Sequence, residues 1–134
     1  MILVLDIGSS SVRSSLWDEQ GGSRGEAAQL EHRARAAPDG TAEIDPEALF
    51  ELVTQALDAA MEKRPEVEAV AISTMWHSLL GLDGDGRPLT PLYSWADRRA
   101  AAAAAHLRAE LDEDAVHQRT GCLLYTSPSP RDRS

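Results

Sequence analysis

The chain of 134 residues carries 13 Lys and Arg against 22 Asp and Glu, a formal charge of −9 that repels nucleic-acid phosphates and anionic lipid at long range, so neither is expected as a partner. Hydrophobic residues at 43% and charged residues at 26% exclude the disordered extreme, and the length suits one domain or a piece of one. The single cysteine, Cys122, excludes an internal disulfide, and the apolar start meets Asp6 too soon for a signal peptide or a membrane span, so a reduced, cytoplasmic setting is expected.

Residues 1–7 (MILVLDI) read as a buried strand ending in a tight turn at Gly8 and three serines, with residues 12–18 as the hairpin partner. Residues 25–35 alternate loosely and predict a third, edge-like strand. Asp45-Pro46 sets an N-cap and a first-turn proline before Leu49, Phe50, Val53, Leu57 and Met61, which predicts a helix over 46–63 packed on the sheet through Leu49, Phe50, Val53 and Leu57. Pro65 stops it. Residues 67–73 (VEAVAIS) read as a second buried strand, parallel to the first through this helical crossover. Residues 79–82 and 89–95 predict short strands around the Asp83-Gly84-Asp85-Gly86 turn. The alanine-rich stretch 97–111 predicts a helix, and 112–119 a shorter one ending at Gly121 as C-cap. Residues 122–132 (CLLYTSPSPRD) have no periodicity and two Ser-Pro pairs. They resemble an in-frame translation of a transposon-type sequencing adapter, or a flexible tail, and are set apart as 122–134, loosely packed.

Three clusters carry chemistry. In the first, Asp6 precedes Gly8, Ser9, Ser10 and Ser11. Glycine permits close backbone approach, the serines offer hydroxyls, and Asp6 suits Mg²⁺ held through water; ordinary hairpin turn chemistry explains the same residues. The second is Trp76-His77-Ser78 just after a strand, an apolar face with donors and acceptors suited to a polyol, or equally a core Trp beside a satisfied His. The third is 93–99 (YSWADRR), where Asp97 either caps the following helix or accepts sugar hydroxyls, and an arginine either pairs with an anionic substrate group or shapes the pocket.

In this order, together with Arg119-Thr120-Gly121, these segments resemble the FGGY carbohydrate kinases. Those proteins have DIGT-type first turns, a Met-His-Ser/Gly segment after a later strand, a Trp-Asn/Ala-Asp-x-Arg segment and then Arg-Thr-Gly. The resemblance covers residues 1–121, about the first half of the family's amino-terminal domain. It implies an α/β, RNase H-like (actin/hexokinase-type) mixed sheet with flanking helices, here incomplete. It also implies ATP-dependent phosphorylation of a sugar or sugar acid with Mg²⁺. On it, Asp6 matches the Mg²⁺/phosphate aspartate, Gly8 to Ser11 the phosphate turn, and Arg13 the basic residue that follows. Trp76, His77, Ser78, Asp97 and Arg99 fall at the substrate side. Trp76 stands where many members have Met, and the His-Ser and Trp-Ala-Asp variants resemble the gluconokinase branch most, whereas xylulokinases more often have His-Gly and Trp-Asn-Asp.

The family's catalytic aspartate and adenosine-binding domain are expected beyond residue 134, since no carboxylate here matches that base. Two other classes stay open: an actin- or chaperone-like ATPase module, which shares the Asp-x-Gly turn, and a truncated chain without activity of its own. The sugar, the hydroxyl phosphorylated and the oligomeric state are not legible.

Overall fold

A computed structural model describes residues 1–62 and 65–121. Strands β1 (Ile2–Ile7) and β2 (Ser11–Trp17) form the expected hairpin, with Ile7 opposite Val12 and Asp6 opposite Arg13. Strand β3 (Ser23–Glu31) adds antiparallel to β2 with register shifts between Ser14 and Trp17, and it begins and ends earlier than the 25–35 expected. Two short strands, β4 (Arg35–Ala36) and β5 (Ala42–Ile44), lead into helix α1 (Pro46–Met61). Strand β6 (Ala69–Thr74) then pairs parallel to β1, giving a four-stranded mixed sheet in the order β3-β2-β1-β6. Strand β7 (Leu92–Tyr93) closes a second sheet, β4-β5-β7. Helices α2 (Ala101–Glu110) and α3 (Glu113–Thr120) follow.

Helix α1 starts where its sequence dictates. The Asp45 carboxylate accepts from the N–H groups of Glu47 (2.9 Å) and Ala48 (3.2 Å), and Pro46 needs no donor there. The helix covers β1, β2 and β3. Its contact stripe is built on small residues: Ala56 and Ser14 are fully buried, and the Ser14 hydroxyl donates to the Ala56 carbonyl at 2.7 Å. Around them pack Leu5, Val12, Ile44 and Leu49, with Leu52, Val53 and Leu57 half-buried.

Phe50 is a correction. It was expected in this interface and is 70% exposed. One residue turns a helix by about 100°, so once Leu49, Ala56 and Ala60 face the strands, Phe50 points along the flank with Met61. Strand β6 is a second correction, because all six of its residues are exposed although a buried strand was expected. It forms the sheet edge, and α1 lies over β1 to β3 instead, which leaves Val70 and Ile72 uncovered among the described residues.

The segments 79–82 and 89–95 are mostly not strands. They make isolated bridges, Leu79 with Tyr93 and Leu82 with Pro88, and only Leu92–Tyr93 extends into a sheet. Pro88 and Pro91 lack the N–H that a continuous ladder needs. Helix α2 begins at Ala101 rather than at Asp97, with Ala100 at its N-cap and no side-chain cap. Helix α3 keeps its expected ends: Asp112 accepts from the Ala115 N–H at 3.1 Å, and Gly121 takes the left-handed conformation at φ 70°. Lys63 and the expected tail 122–134 lie outside the described residues.

Candidate functional site

Because β1 and β6 run parallel, their carboxyl ends lie side by side. The Met75 N–H donates to the Ile7 carbonyl at 2.9 Å, which brings the loop after β6 against the turn after β1. This end of an α/β sheet is where ligands bind.

The first turn is a tight one. The Gly8 N–H donates to the Ser11 carbonyl at 2.9 Å, and a Cβ on Gly8 would lie only 3.2 Å from that oxygen. Ser9 and Ser10 are exposed at its tip, while Ser11 is buried at its base. His32 holds the turn from below: its backbone N–H donates to the Ser10 carbonyl and its ring Nε2–H to the Gly8 carbonyl, both at 3.0 Å. Both carbonyls of the turn are thus held by His32. The other ring nitrogen, His32 Nδ1, is buried without a partner among the described residues. Asp6 lies opposite Arg13 on one side and Ser73 on the other, all on the sheet face away from the buried Leu5 and Val12. Asp6 is half-buried and Arg13 exposed, and the two make no ion pair among the described residues.

In the loop after β6, Trp76 is 80% exposed and meets His77 edge-on, with ring centroids 5.5 Å apart. A buried Trp with a core His is therefore excluded. His77 has φ 55°, and no other non-glycine among the described residues has positive φ. A side chain held in the left-handed region costs about 1–3 kcal/mol, and such positions cluster at functional sites. The Ser78 hydroxyl sits 3.5 Å from the Trp76 carbonyl, at the limit of a hydrogen bond. The loop then joins the second sheet, where Leu79 and Tyr93 exchange backbone hydrogen bonds of 2.9 and 3.0 Å.

The third cluster does something the sequence did not announce. Asp97 neither caps α2 nor stands open: its side chain is 10% exposed, and it accepts from the Ala42 N–H at 3.0 Å and from the Arg99 guanidinium. Arg99 also donates to Glu43 at 2.8 Å and lies over the Tyr93 ring, 5.1 Å from its centre. The second oxygen of Glu43 takes the Arg35 guanidinium. The hydrogen bonds from Arg99 hold the Asp97 carboxyl well below the usual carboxylate range, those from Arg35 and then Arg99 lower that of Glu43, and Asp97 in turn raises Arg99.

Of the expected site residues, Asp6 and Gly8 to Ser11 at the end of β1 and Trp76, His77 and Ser78 after the end of β6 thus share one end of the sheet, with Arg13 opposite Asp6 on β2. Asp97 and Arg99 lie in the turns after β7, tied to β5 of the second sheet through Ala42 and Glu43, and that sheet meets this loop at the Tyr93–Leu79 bridge. Sequence reasoning missed His32, Glu43 and Arg35. Their partners lie 24, 56 and 8 residues away, and no local pattern marks them.

The sequence matches the FGGY family of carbohydrate kinases, N-terminal domain, over residues 1–130. The chain belongs to this family. It is 32% identical to a gluconokinase of Bacillus subtilis over 129 residues, 92% of this chain and 24% of that protein. It is 36% identical to a glycerol kinase of Rhodospirillum centenum over 128 residues, 92% of this chain and 26% of that protein. The fold superposes on a gluconate kinase from Lactobacillus acidophilus with a TM-score of 0.84 at 24% identity, covering 95% of this chain and 26% of that one. The chain therefore spans about a quarter of the length of its FGGY relatives, and its mixed sheet with three described helices is part of the actin/hexokinase-type FGGY fold. No helix among the described residues is long and apolar enough to cross a membrane.

Proposed function

We propose that this chain is the amino-terminal part of an ATP-dependent kinase that phosphorylates a hydroxyl of a sugar or sugar acid, with gluconate the first substrate to test. The observation that carries the reading is the juxtaposition of two loops at the carboxyl ends of the parallel pair β1 and β6: the Gly8–Ser11 turn beside the strained His77 loop. One loop has the form of an anion cradle. The other presents an aromatic face and an imidazole, which suit a polyol. The similarity to gluconokinase and glycerol kinase supports the kinase reading.

In this reading Gly8, Ser9, Ser10 and Ser11 receive a phosphate of ATP, and Arg13 adds positive charge beside it. Trp76 covers an apolar face of the sugar, while His77 and Ser78 exchange hydrogen bonds with its hydroxyls. Asp97 and Arg99 act from the turns that follow the second sheet. Asp6, a half-buried carboxylate at the end of β1 just before the Gly8–Ser11 turn, fits Mg²⁺ as a companion of ATP. Magnesium is commonly held by one or two carboxylates, waters and substrate phosphates, so Asp6 would hold it through water. Bound there, the ion would offset charge on the transferred phosphoryl group. We assign no general base within the chain. The reading also takes residues 1–121 as part of the family's domain and 122–134 as a non-native extension, which the genomic sequence past codon 121 tests directly.

The test is ADP release by the full-length protein in a coupled assay, with gluconate, xylulose and glycerol as acceptors. Release that depends on one of them, together with an Asp6→Asn variant that loses turnover at nearly unchanged sugar KM, is the expected result. ATP hydrolysis indifferent to every sugar would replace this reading with an ATPase module. The 134-residue chain alone is expected to give no sugar-dependent ADP release.

A further inference from the structure

We infer that Arg99 is the centre of an ion-pair clamp, closed by Glu43 and Asp97, that positions the Trp95 turn beside the substrate loop, and that it does not receive an anionic substrate group. The clamp stands on geometry alone. Its consequence for substrate recognition rests on the kinase reading above.

Two of the three Arg99 guanidinium nitrogens, Nε and Nη2, are already committed. Its Nη2 donates to Glu43 Oε2 at 2.8 Å and to Asp97 Oδ2 at 2.6 Å, and its Nε donates to both Asp97 oxygens at 3.1 and 3.0 Å. With Arg35 on the other Glu43 oxygen, two cations face two carboxylates and the cluster is neutral. A substrate carboxylate approaching Arg99 would meet the negative charge of Glu43 and Asp97 at the same point, and would have to displace hydrogen bonds of good length to be held.

Around these ion pairs the backbone is stapled. The Ser94 N–H donates to the Ala42 carbonyl at 2.9 Å, the Ala42 N–H to Asp97 at 3.0 Å, and the Arg98 N–H to the Gly40 carbonyl at 2.8 Å. Segment 94–99 is thereby fixed to segment 40–43, and Trp95 sits inside the fixed stretch with its side chain half-exposed. Tyr93, beneath the Arg99 guanidinium, is bonded in both directions to Leu79, two residues past His77. Glu43 anchors the assembly from the strand that runs directly into α1, so the clamp ties the orientation of the second sheet to the helix that covers the first. Asp97 and Glu43 are positioning residues in this arrangement. The charge of a sugar acid is not read by Arg99, and recognition runs through hydroxyls.

Two measurements decide this. On the 134-residue chain, the Arg99 Nε–H proton is followed by nitrogen-15 NMR in the wild type, Glu43→Gln and Asp97→Asn. A resolved, slowly exchanging signal in the wild type that exchanges at least tenfold faster in both variants is expected. A wild-type signal exchanging as fast as a free guanidinium overturns the clamp. On the full-length protein, calorimetric Kd values are compared for gluconate and for glucitol, its neutral analogue, in the wild type and Arg99→Lys. Both ligands are expected to weaken by the same factor, about tenfold, with their ratio held within about twofold. Loss confined to gluconate overturns the inference and makes Arg99 a carboxylate receptor. If the wild type binds neither ligand, the choice of gluconate fails while the kinase reading is left to the xylulose and glycerol assays, and the NMR result still decides the clamp.

Discussion

Leu49 and Phe50 are neighbours in sequence and opposites in the structure, so truncating each in turn reads out the rotation of α1. Leu49 is 8% exposed and packs with Leu5, Val12, Ile44 and Ala56, so Leu49→Ala removes buried methyl groups and leaves a cavity, at a cost of about 2–5 kcal/mol. Phe50 is 70% exposed. A Phe side chain buries about 200 Å² when fully covered, so roughly 60 Å² is at stake here, or about 1.5 kcal/mol. The better helix propensity of Ala returns about 0.5 kcal/mol, which leaves a net cost near 1 kcal/mol. Urea unfolding followed by far-ultraviolet circular dichroism measures both. Leu49→Ala should shift the midpoint further than Phe50→Ala by about 0.5 M or more at ordinary m-values. A Phe50→Ala cost equal to or above that of Leu49→Ala would refute the assigned helix face.

His77→Gly should relieve the left-handed strain at φ 55°, leaving stability unchanged or higher by about 0.5 kcal/mol once the flexibility of glycine is counted, while weakening sugar affinity in the full-length protein about tenfold. Lower stability with unchanged affinity would make His77 purely structural. Gly40→Ala should destabilise by about 1–3 kcal/mol, because Gly40 has φ 93° and a Cβ there would lie 3.1 Å from the Arg98 Cβ; thermal unfolding checks it. The Glu43 and Asp97 carboxyls are held below their ordinary values of 4.5 and 3.8, so their contribution is complete above those values and is lost as pH falls through the lowered ones. Stability should therefore drop below about pH 4, and Glu43→Gln should flatten that drop. An acid transition unchanged in Glu43→Gln would remove the ion pair from the account.

Features whose physics lies within a few residues of sequence were legible. The Asp45-Pro46 start of α1 is one, since a carboxylate beside two free N–H groups needs only the next three residues. The Gly121 stop of α3 and the β1–β2 hairpin are others, being set by one left-handed glycine and one tight turn. The order of motifs along the chain carried the family, and the parallel pairing of β1 and β6 followed from the helical crossover between them. Which flank of α1 met the strands was not legible. The stripe Leu49, Phe50, Val53, Leu57 is apolar throughout, and the close approach permitted by Ser14 and Ala56 turned Phe50 outward. Nor was the exposure of β6, because an apolar run reads alike at a sheet centre and at an edge. The role of Asp97 turned on tertiary contact most of all. As a helix cap it would have needed only its neighbours, but Ala42, 55 residues earlier, and Arg99, itself drawn to Glu43, took its oxygens first, and no local pattern records which charges a fold will bring together.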